Sequence, residues 1–375
     1  MARSKKSQAP AKHEGFSAAV ISMGSESSKK TAQAMKKYFS VVDELDVRDI
    51  EVRLSGEKST VLHKGDALKK YDCILPKGSF RYSPLLRTLV TLLSKQAYIP
   101  YLPDAFTIAH DKLLTQLVLQ QKNIPMPATY LAATITAAKK VLDHANYPLI
   151  MKFPQGTQGK GVVFADSKAS ANSILDALSA LKQPFLIQEY IETGTSDIRA
   201  FVVGEKVVAA MKRQGPPDEK RANLHAGAQG TPYVLGAHAK KIAVSTARSI
   251  GAGICGVDLL ESAKGPLVIE ANISPGLGIS EITGVDIADK IAQFLFAETK
   301  KYKEQGSTSR MSAHITQTKA GKTLHIIGPL DFRGAKVLLP ELVVDQAGFI
   351  EDEEYELTAT KGMVTIKQFS KQEDA

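Results

Sequence analysis

Asp258, Glu270 and Asn272 are the residues whose types and spacing best fit metal chemistry, and they lie in two apolar runs, 254–260 and 267–269 with its continuation. Side chains alternate along a strand, so Glu270 and Asn272 share one face. A carboxylate beside a carboxamide offers hard oxygen donors without sulfur or imidazole, a set suited to Mg2+ rather than Zn2+. Asp258 is the one acid in Ile-Cys-Gly-Val-Asp-Leu-Leu and is expensive to bury without a cation or a partner. If the two runs pair as a hairpin, the three residues converge on one metal site. The alternative is that Asp258 caps a turn and Glu270 makes a salt bridge; spacing alone leaves both open.

Magnesium held by a few carboxylates keeps positions for phosphate oxygens. A matching stretch reads Lys152-Phe-Pro-Gln-Gly-Thr-Gln-Gly-Lys-Gly-Val-Val-Phe. Gly156, Gly159 and Gly161 let backbone amides close around phosphate, and Lys152 and Lys160 neutralise its charge. This is neither a P-loop nor a Gly-x-Gly-x-x-Gly turn. Apolar runs on both sides make it a hairpin flap, a shape that glycine-rich turns also take with no ligand. The turn 76–81, Pro-Lys-Gly-Ser-Phe-Arg, follows a strand's carboxyl end, where open parallel sheets place ligands. Lys77 and Arg81 either hold an acidic substrate there or are two solvated loop cations. Asp197 and Arg199 share a strand face and can pair with each other or with a ligand. Arg221 and Asn223 sit in a loop, 221–228, that gives them no packing role.

Alternating elements must position these groups. Strands are expected at 17–22, 41–47 and 71–75, with a helix carrying Ala32, Met35 and Phe39 and another at 85–93. This alternation predicts a small parallel α/β domain over 15–105. An amphipathic helix over 107–121, with Leu113, Leu114, Leu117 and Val118 on one face and Lys112 beside it, opens the next lobe, 106–183. That lobe includes a helix at 134–144 and a strand at 149–153. A strand at 185–190, a hairpin of 196–201 with 206–211 about Gly204, and helices at 237–250 and 283–300 make a further lobe, 184–303.

The net charge of +9 is scattered, and part of it lies in a basic segment, 1–14, read as a solvated disordered tail. A positive field also attracts anionic small substrates. Cys73 and Cys255 lie in apolar runs as small hydrophobes, and no run is long enough for a membrane span. Both point to a cytoplasmic protein with no membrane partner.

Six stretches in order and register, over roughly 17–294, carry a close resemblance to the RimK-type ATP-grasp carboxylate–amine ligases. They are the glycine-rich stretch, Gln188-Glu-Tyr-Ile, Asp197-Ile-Arg-Ala-Phe-Val-Val-Gly, Arg221-Ala-Asn-Leu-His, Gly256-Val-Asp-Leu-Leu and Glu270-Ala-Asn-Ile-Ser-Pro-Gly-Leu. The resemblance implies an α/β and α+β protein with the ATP-grasp fold, a pre-ATP-grasp α/β domain preceding two lobes that clamp ATP. It implies phosphate contacts from Lys112 and Lys152, and an adenine lining of Gln188, Glu189, Tyr190 and Ile191. It further implies Asp197 near the ribose or base, Arg221 and Asn223 at the transferring phosphoryl group, and Mg2+ on Asp258, Glu270 and Asn272, for which Mn2+ can substitute. Ser274 and Gly276 are then donors to a carboxylate substrate. The implied reaction joins L-glutamate or a similar amino acid to an acceptor, a small molecule or a protein tail, through an acyl phosphate. The family's Pro-Gly-Leu-Glu-Gly reads Pro275-Gly-Leu-Gly-Ile here, one acid fewer at the substrate end.

Beyond a polar linker expected at 304–311, residues 312–375 change character. A strand ending in Pro340, then Gly348-Phe-Ile, acidic residues and a terminal hairpin resemble the AbrB/MazE-like swapped-hairpin domain, a small β-rich fold. That resemblance implies a homo-oligomer, dimer or tetramer. Glu351, Asp352, Glu353, Glu354 and Glu356 would repel a phosphate backbone, so DNA binding is the less favoured role. The competing reading of the whole chain is a DNA-binding or oligomeric regulator that uses the ATP-grasp body as a nucleotide or metabolite sensor.

Overall fold

A computed structural model describes residues 15–56, 58–132, 134–152, 162–180, 185–215, 229–315, 331–333, 336–339, 343–344, 347–350, 353–361 and 363–368. The tail 1–14, Gly156, Gly159, Lys160, Gly161, Arg221 and Asn223 lie outside them.

β1 (Ser17–Ser22) is the buried centre of the first sheet. Ser25 caps α1 (Glu26–Met35), its hydroxyl accepting the Ser28 amide. β2 (Val41–Asp46) follows, and then an antiparallel meander, β3 (Ile50–Ser55), β4 (Lys58–His63) and β5 (Asp66–Ala67). β6 (Cys73–Pro76) returns on the other side of β1, giving a parallel order β2-β1-β6. α2 (Ser83–Leu93) packs Leu86, Leu89 and Val90 inward. The expected helix over 107–121 is instead two, α3 (Ala105–Ala109) and α4 (Lys112–Gln121). Asp111 causes the break: its carboxylate accepts the Leu113 and Leu114 amides and starts a new helix with Lys112 in its first turn. α4 buries Thr115, Gln116 and Leu119, while Leu117 is exposed.

β7 (Thr129–Leu131), α5 (Ile135–His144), β8 (Leu149–Lys152), β9 (Val162–Ala165), α6 (Lys168–Ala180) and β10 (Leu186–Glu189) come next. Their sheet, ordered β7-β10-β8-β9, has a core of its own around Leu142, Leu149, Met151, Leu175 and Ile187. β10 hydrogen-bonds between β7 and β8, so it belongs to this lobe and not to the one expected to start at 184.

β11 (Ser196–Val203), β12 (Lys206–Gln214), β13 (Gln229–Pro232), α7 (Ala237–Ser249), β14 (Ile254–Ser262) and β15 (Gly265–Asn272) build an antiparallel sheet ordered β13-β12-β11-β14-β15. α8 (Ile279–Thr283) and α9 (Ile287–Ile315) complete the body. Phe39 stands edge-on to Phe296 of α9 at 5.5 Å, and the first sheet shares one continuous core with this five-stranded sheet. The helix α9 runs through 304–311, where a linker was expected, and Lys301 pairs with Glu298 on it.

The chain divides into two compact units, Met1–Tyr302 and Lys303–Ala375. In the second, β16 (Asp331–Arg333) pairs with β17 (Lys336–Leu338), and β18 (Tyr355–Thr360) with β19 (Met363–Gln368). Among the described residues, no helix is long and apolar enough to cross a membrane.

Candidate active site

The expected hairpin forms. β14 and β15 pair antiparallel with Asp258 opposite Glu270 and Gly256 opposite Asn272. On the other side of β14, Asp258 lies opposite Arg199 of β11, so Arg199, Asp258 and Glu270 form one row across three strands. Arg199 grips Asp258 with two bonds, Nε to Oδ1 and Nη2 to Oδ2, both 2.7 Å. Arg213 of β12 grips Asp197 in the same forked way at 2.6 and 2.5 Å and also reaches Asp258 Oδ2 at 2.9 Å. Asp197 and Arg199 therefore do not pair with each other. Each takes a partner from a neighbouring strand, because parity puts all four on one face.

Charge follows from this packing. Burial favours a neutral Asp258, but Arg199 and Arg213 outweigh it and hold the carboxyl at about 2. Burial, then the Asp258 charge, push Asp197 up to about 7 against the pull of Arg213. Arg213 was missed from the sequence, although it shares the parity of buried Ala209 and Met211. Asp197, expected near a nucleotide, is closed inside this network in the present structure.

From the other lobe, Lys152 ends β8 and is buried, with Nζ donating to Gln188 Oε1 at 2.8 Å. Gln188 is oriented in turn by Thr129, its Nε2 donating to Oγ1 at 2.7 Å. Burial pushes the Lys152 ammonium down to about 8, while Glu270 draws it up and Lys112 pushes it further down. Lys152 thus lies within electrostatic reach of both Lys112 and Glu270. Of the expected adenine lining, Glu189 is exposed and accepts the Ala128 amide at 3.3 Å, and Tyr190 stands edge-on to Phe164 at 5.1 Å. Ile191 is half-buried just beyond β10.

A cleft of about 170 Å3 lies between the end of β15, the start of α4 and the segment after β6, lined by Gly78, Phe80, His110, Lys112, Glu270 and Ser274 among others. Asn272 Oδ1 accepts the Ser274 amide at 2.9 Å, and Ser274 Oγ accepts the Gly78 amide at 3.2 Å. Gly276 is exposed on the same turn. Lys77 is not the solvated loop cation that one reading allowed: it is buried, whereas Arg81 is exposed in a single helical turn.

Among the described residues, no three His, Cys, Asp or Glu side chains are grouped to hold a metal. Asp258, Glu270 and Asn272 supply two carboxylates and a carboxamide, which fits a hard ion that keeps other positions for water or phosphate oxygens.

Residues 109–295 match the family model described as the RimK-like ATP-grasp domain. A protein of Vibrio cholerae serotype O1 called probable alpha-L-glutamate ligase is 37% identical over 289 residues, covering 75% of this chain and 95% of that protein. Among solved structures, a RimK domain ATP-grasp protein from Sphaerobacter thermophilus is 18% identical with a TM-score of 0.57, covering 74% of this chain and 98% of that one. The ATP-grasp ligase PsnB, solved with a minimal precursor, Mg and ADP, gives 17% and 0.59, covering 76% and 98%.

Proposed function

Because this chain belongs to the RimK-like ATP-grasp ligase family, we propose that it is an ADP-forming enzyme joining a carboxylate to an amine, with L-glutamate as one of the two molecules. The observation that carries the reading is the row Arg199–Asp258–Glu270, whose Glu270 acts electrostatically on the buried Lys152. Phosphoryl transfer to a carboxylate brings two anions together, so a site for it must concentrate positive charge on a frame of fixed acids.

Asp258, Glu270 and Asn272 would hold Mg2+, or Mn2+ in its place; when bound, the ion supplies charge neutralisation at the ATP phosphates. Arg199 and Arg213 keep Asp258 ionised, the state a metal ligand needs. Lys152 and Lys112 bind phosphate oxygens, with Gly156, Gly159 and Gly161 giving backbone donors. Gln188, Glu189, Tyr190 and Ile191 line the base. Asp197 fixes Arg213 and contributes to the nucleotide pocket from behind it.

The substrate carboxylate attacks the γ-phosphorus, giving acyl phosphate and ADP. Arg221 and Asn223 steady the transferring group. The amine then attacks the acyl carbon, phosphate leaves, and the amine's proton passes to solvent. Ser274, Gly276 and Arg81 serve the acid substrate. The acceptor is a small molecule or a protein tail.

In the second unit Leu357 and Val364 stand exposed on one hairpin face with Ala359 and Ile366, which supports a homo-oligomer built through this face. Cys73 and Cys255, unpaired and buried, support a cytoplasmic setting. The test of function is ADP release by the full chain with ATP and Mg2+. Release that requires L-glutamate together with an acceptor supports the ligase; release indifferent to any amino acid retires it.

A further inference from the structure

The parallel sheet β2-β1-β6 changes direction at β1, with one connection leaving toward β2 and the chain returning at β6 on the opposite side. Such a switch point leaves a crevice beyond the carboxyl ends of the two strands that neither connection covers. Here those ends are Ser22 and Pro76.

Past Ser22 the chain turns at Gly24, with φ +71°, a conformation that L side chains rarely adopt, and enters α1. The Ser28 amide is taken by the Ser25 cap, while Glu26 and Ser27 precede any intrahelical acceptor. Past Pro76 comes Lys77, whose amide donates to Ile21 O at 2.8 Å. Its side chain is only 7% exposed. Among the described residues Lys77 Nζ has one hydrogen-bond partner, Ser27 Oγ at 3.4 Å in the first turn of α1, and no carboxylate within ion-pair distance. A buried ammonium without a counter-ion is unfavourable, and burial pushes Lys77 down to about 8. The next residue, Gly78, lines the cleft and donates to Ser274.

We propose that Lys77 Nζ, Ser27 Oγ and the first-turn amides of α1 form a subsite for a substrate carboxylate other than the one that is activated. The missing counter-ion of Lys77 is then the ligand, and the helix N-terminus adds donors to it. The subsite deepens the ligase reading and rests on it for the identity of the substrate. A free amino acid and the carboxyl terminus of a polypeptide both present this group.

Calorimetric titration of the full chain, saturated with Mg2+ and a non-hydrolysable ATP analogue, tests it with three probes. They are L-glutamate and a short peptide ending in glutamate, the latter as the free acid and as the carboxamide. The expected result is binding of L-glutamate or the free-acid peptide and clearly weaker binding of the carboxamide, which keeps only its γ-carboxylate; whichever acid binds identifies the source. Lys77→Met should weaken that binding roughly tenfold or more, as expected for a lost charged hydrogen bond, and Lys77→Arg should retain most of it. Ser27→Ala should weaken it about two- to threefold. Affinity for the ATP analogue should be unchanged in all three, which also reports that they fold. Equal binding by Lys77→Met, equal binding of acid and carboxamide, or no binding of either acid overturns the subsite. ADP release is scored separately. Lys77-dependent binding without ADP release leaves the subsite standing and defeats the ligase reading, whereas ligase turnover indifferent to Lys77→Met does the reverse.

Discussion

Two arginines in one network are not equivalent. Arg213 is buried against both Asp197 and Asp258, whereas the Arg199 side chain is 18% exposed and its partner Asp258 keeps Arg213 if it is lost. Arg213→Met leaves buried Asp197 without its forked partner and Asp258 with one arginine fewer, and should cost roughly 3–5 kcal/mol, read as a lower urea midpoint at unchanged slope. Arg199→Met should cost clearly less stability while slowing ADP formation more. Equal midpoints for the two variants would show that the network does not divide this way. Lys152 gives a prediction of opposite sign. Its folded value, about 8, lies below the ordinary 10.5, so the unfolded chain binds more protons between these limits and stability rises with pH across them. Below pH 8 the penalty is fully present. Lys152→Met should therefore be more stable than the wild type at pH 7, by a few kcal/mol at most, with the gap closing toward pH 10 while ATP binding is lost. A variant less stable at pH 7 would mean that Gln188 satisfies the ammonium completely.

Elements differed in how far their local sequence disclosed them. The β14–β15 hairpin was legible because single polar residues sit at strand parity within apolar runs, which fixes register as well as face. The meander β3–β5 was not, since Glu51, Arg53 and Ser55 give the exposed strand β3 little apolar contrast. The pairing of Asp258 with Arg199 and Arg213 needed the order of three strands, which no spacing encodes. Nor could composition reveal that Asp111 restarts a helix and so sets Lys112 at the cleft. Turn geometry was easier to read. Gly204, expected at the tip of the β11–β12 hairpin, has φ +58° and an added Cβ would lie 2.8 Å from the Phe294 ring of α9. Gly204→Ala should lose about 2–3 kcal/mol through strain and crowding, by thermal or urea unfolding, without altering the affinity for ATP. Wild-type stability in this variant would mean that α9 yields freely at that contact.

At the scale of the molecule, the first unit holds every described residue assigned to nucleotide, metal or acid, and the second presents Leu357 and Val364 at 68% and 64% exposure. Replacing both with Lys should shift the full chain to a smaller oligomer by light scattering, with ADP formation retained per chain. An unchanged mass would assign assembly to another surface. The central claim, that a carboxylate and not water receives the γ-phosphoryl group, is tested most directly by running the reaction in 18O-labelled water. The full chain, ATP, Mg2+, L-glutamate and a cell extract supplying the acceptor would be followed by mass spectrometry of the phosphate released. Transfer through an acyl phosphate predicts amide product and phosphate free of solvent oxygen, whichever partner is activated. Phosphate carrying one solvent 18O per turnover, with no amide formed, would identify a hydrolase and contradict the account.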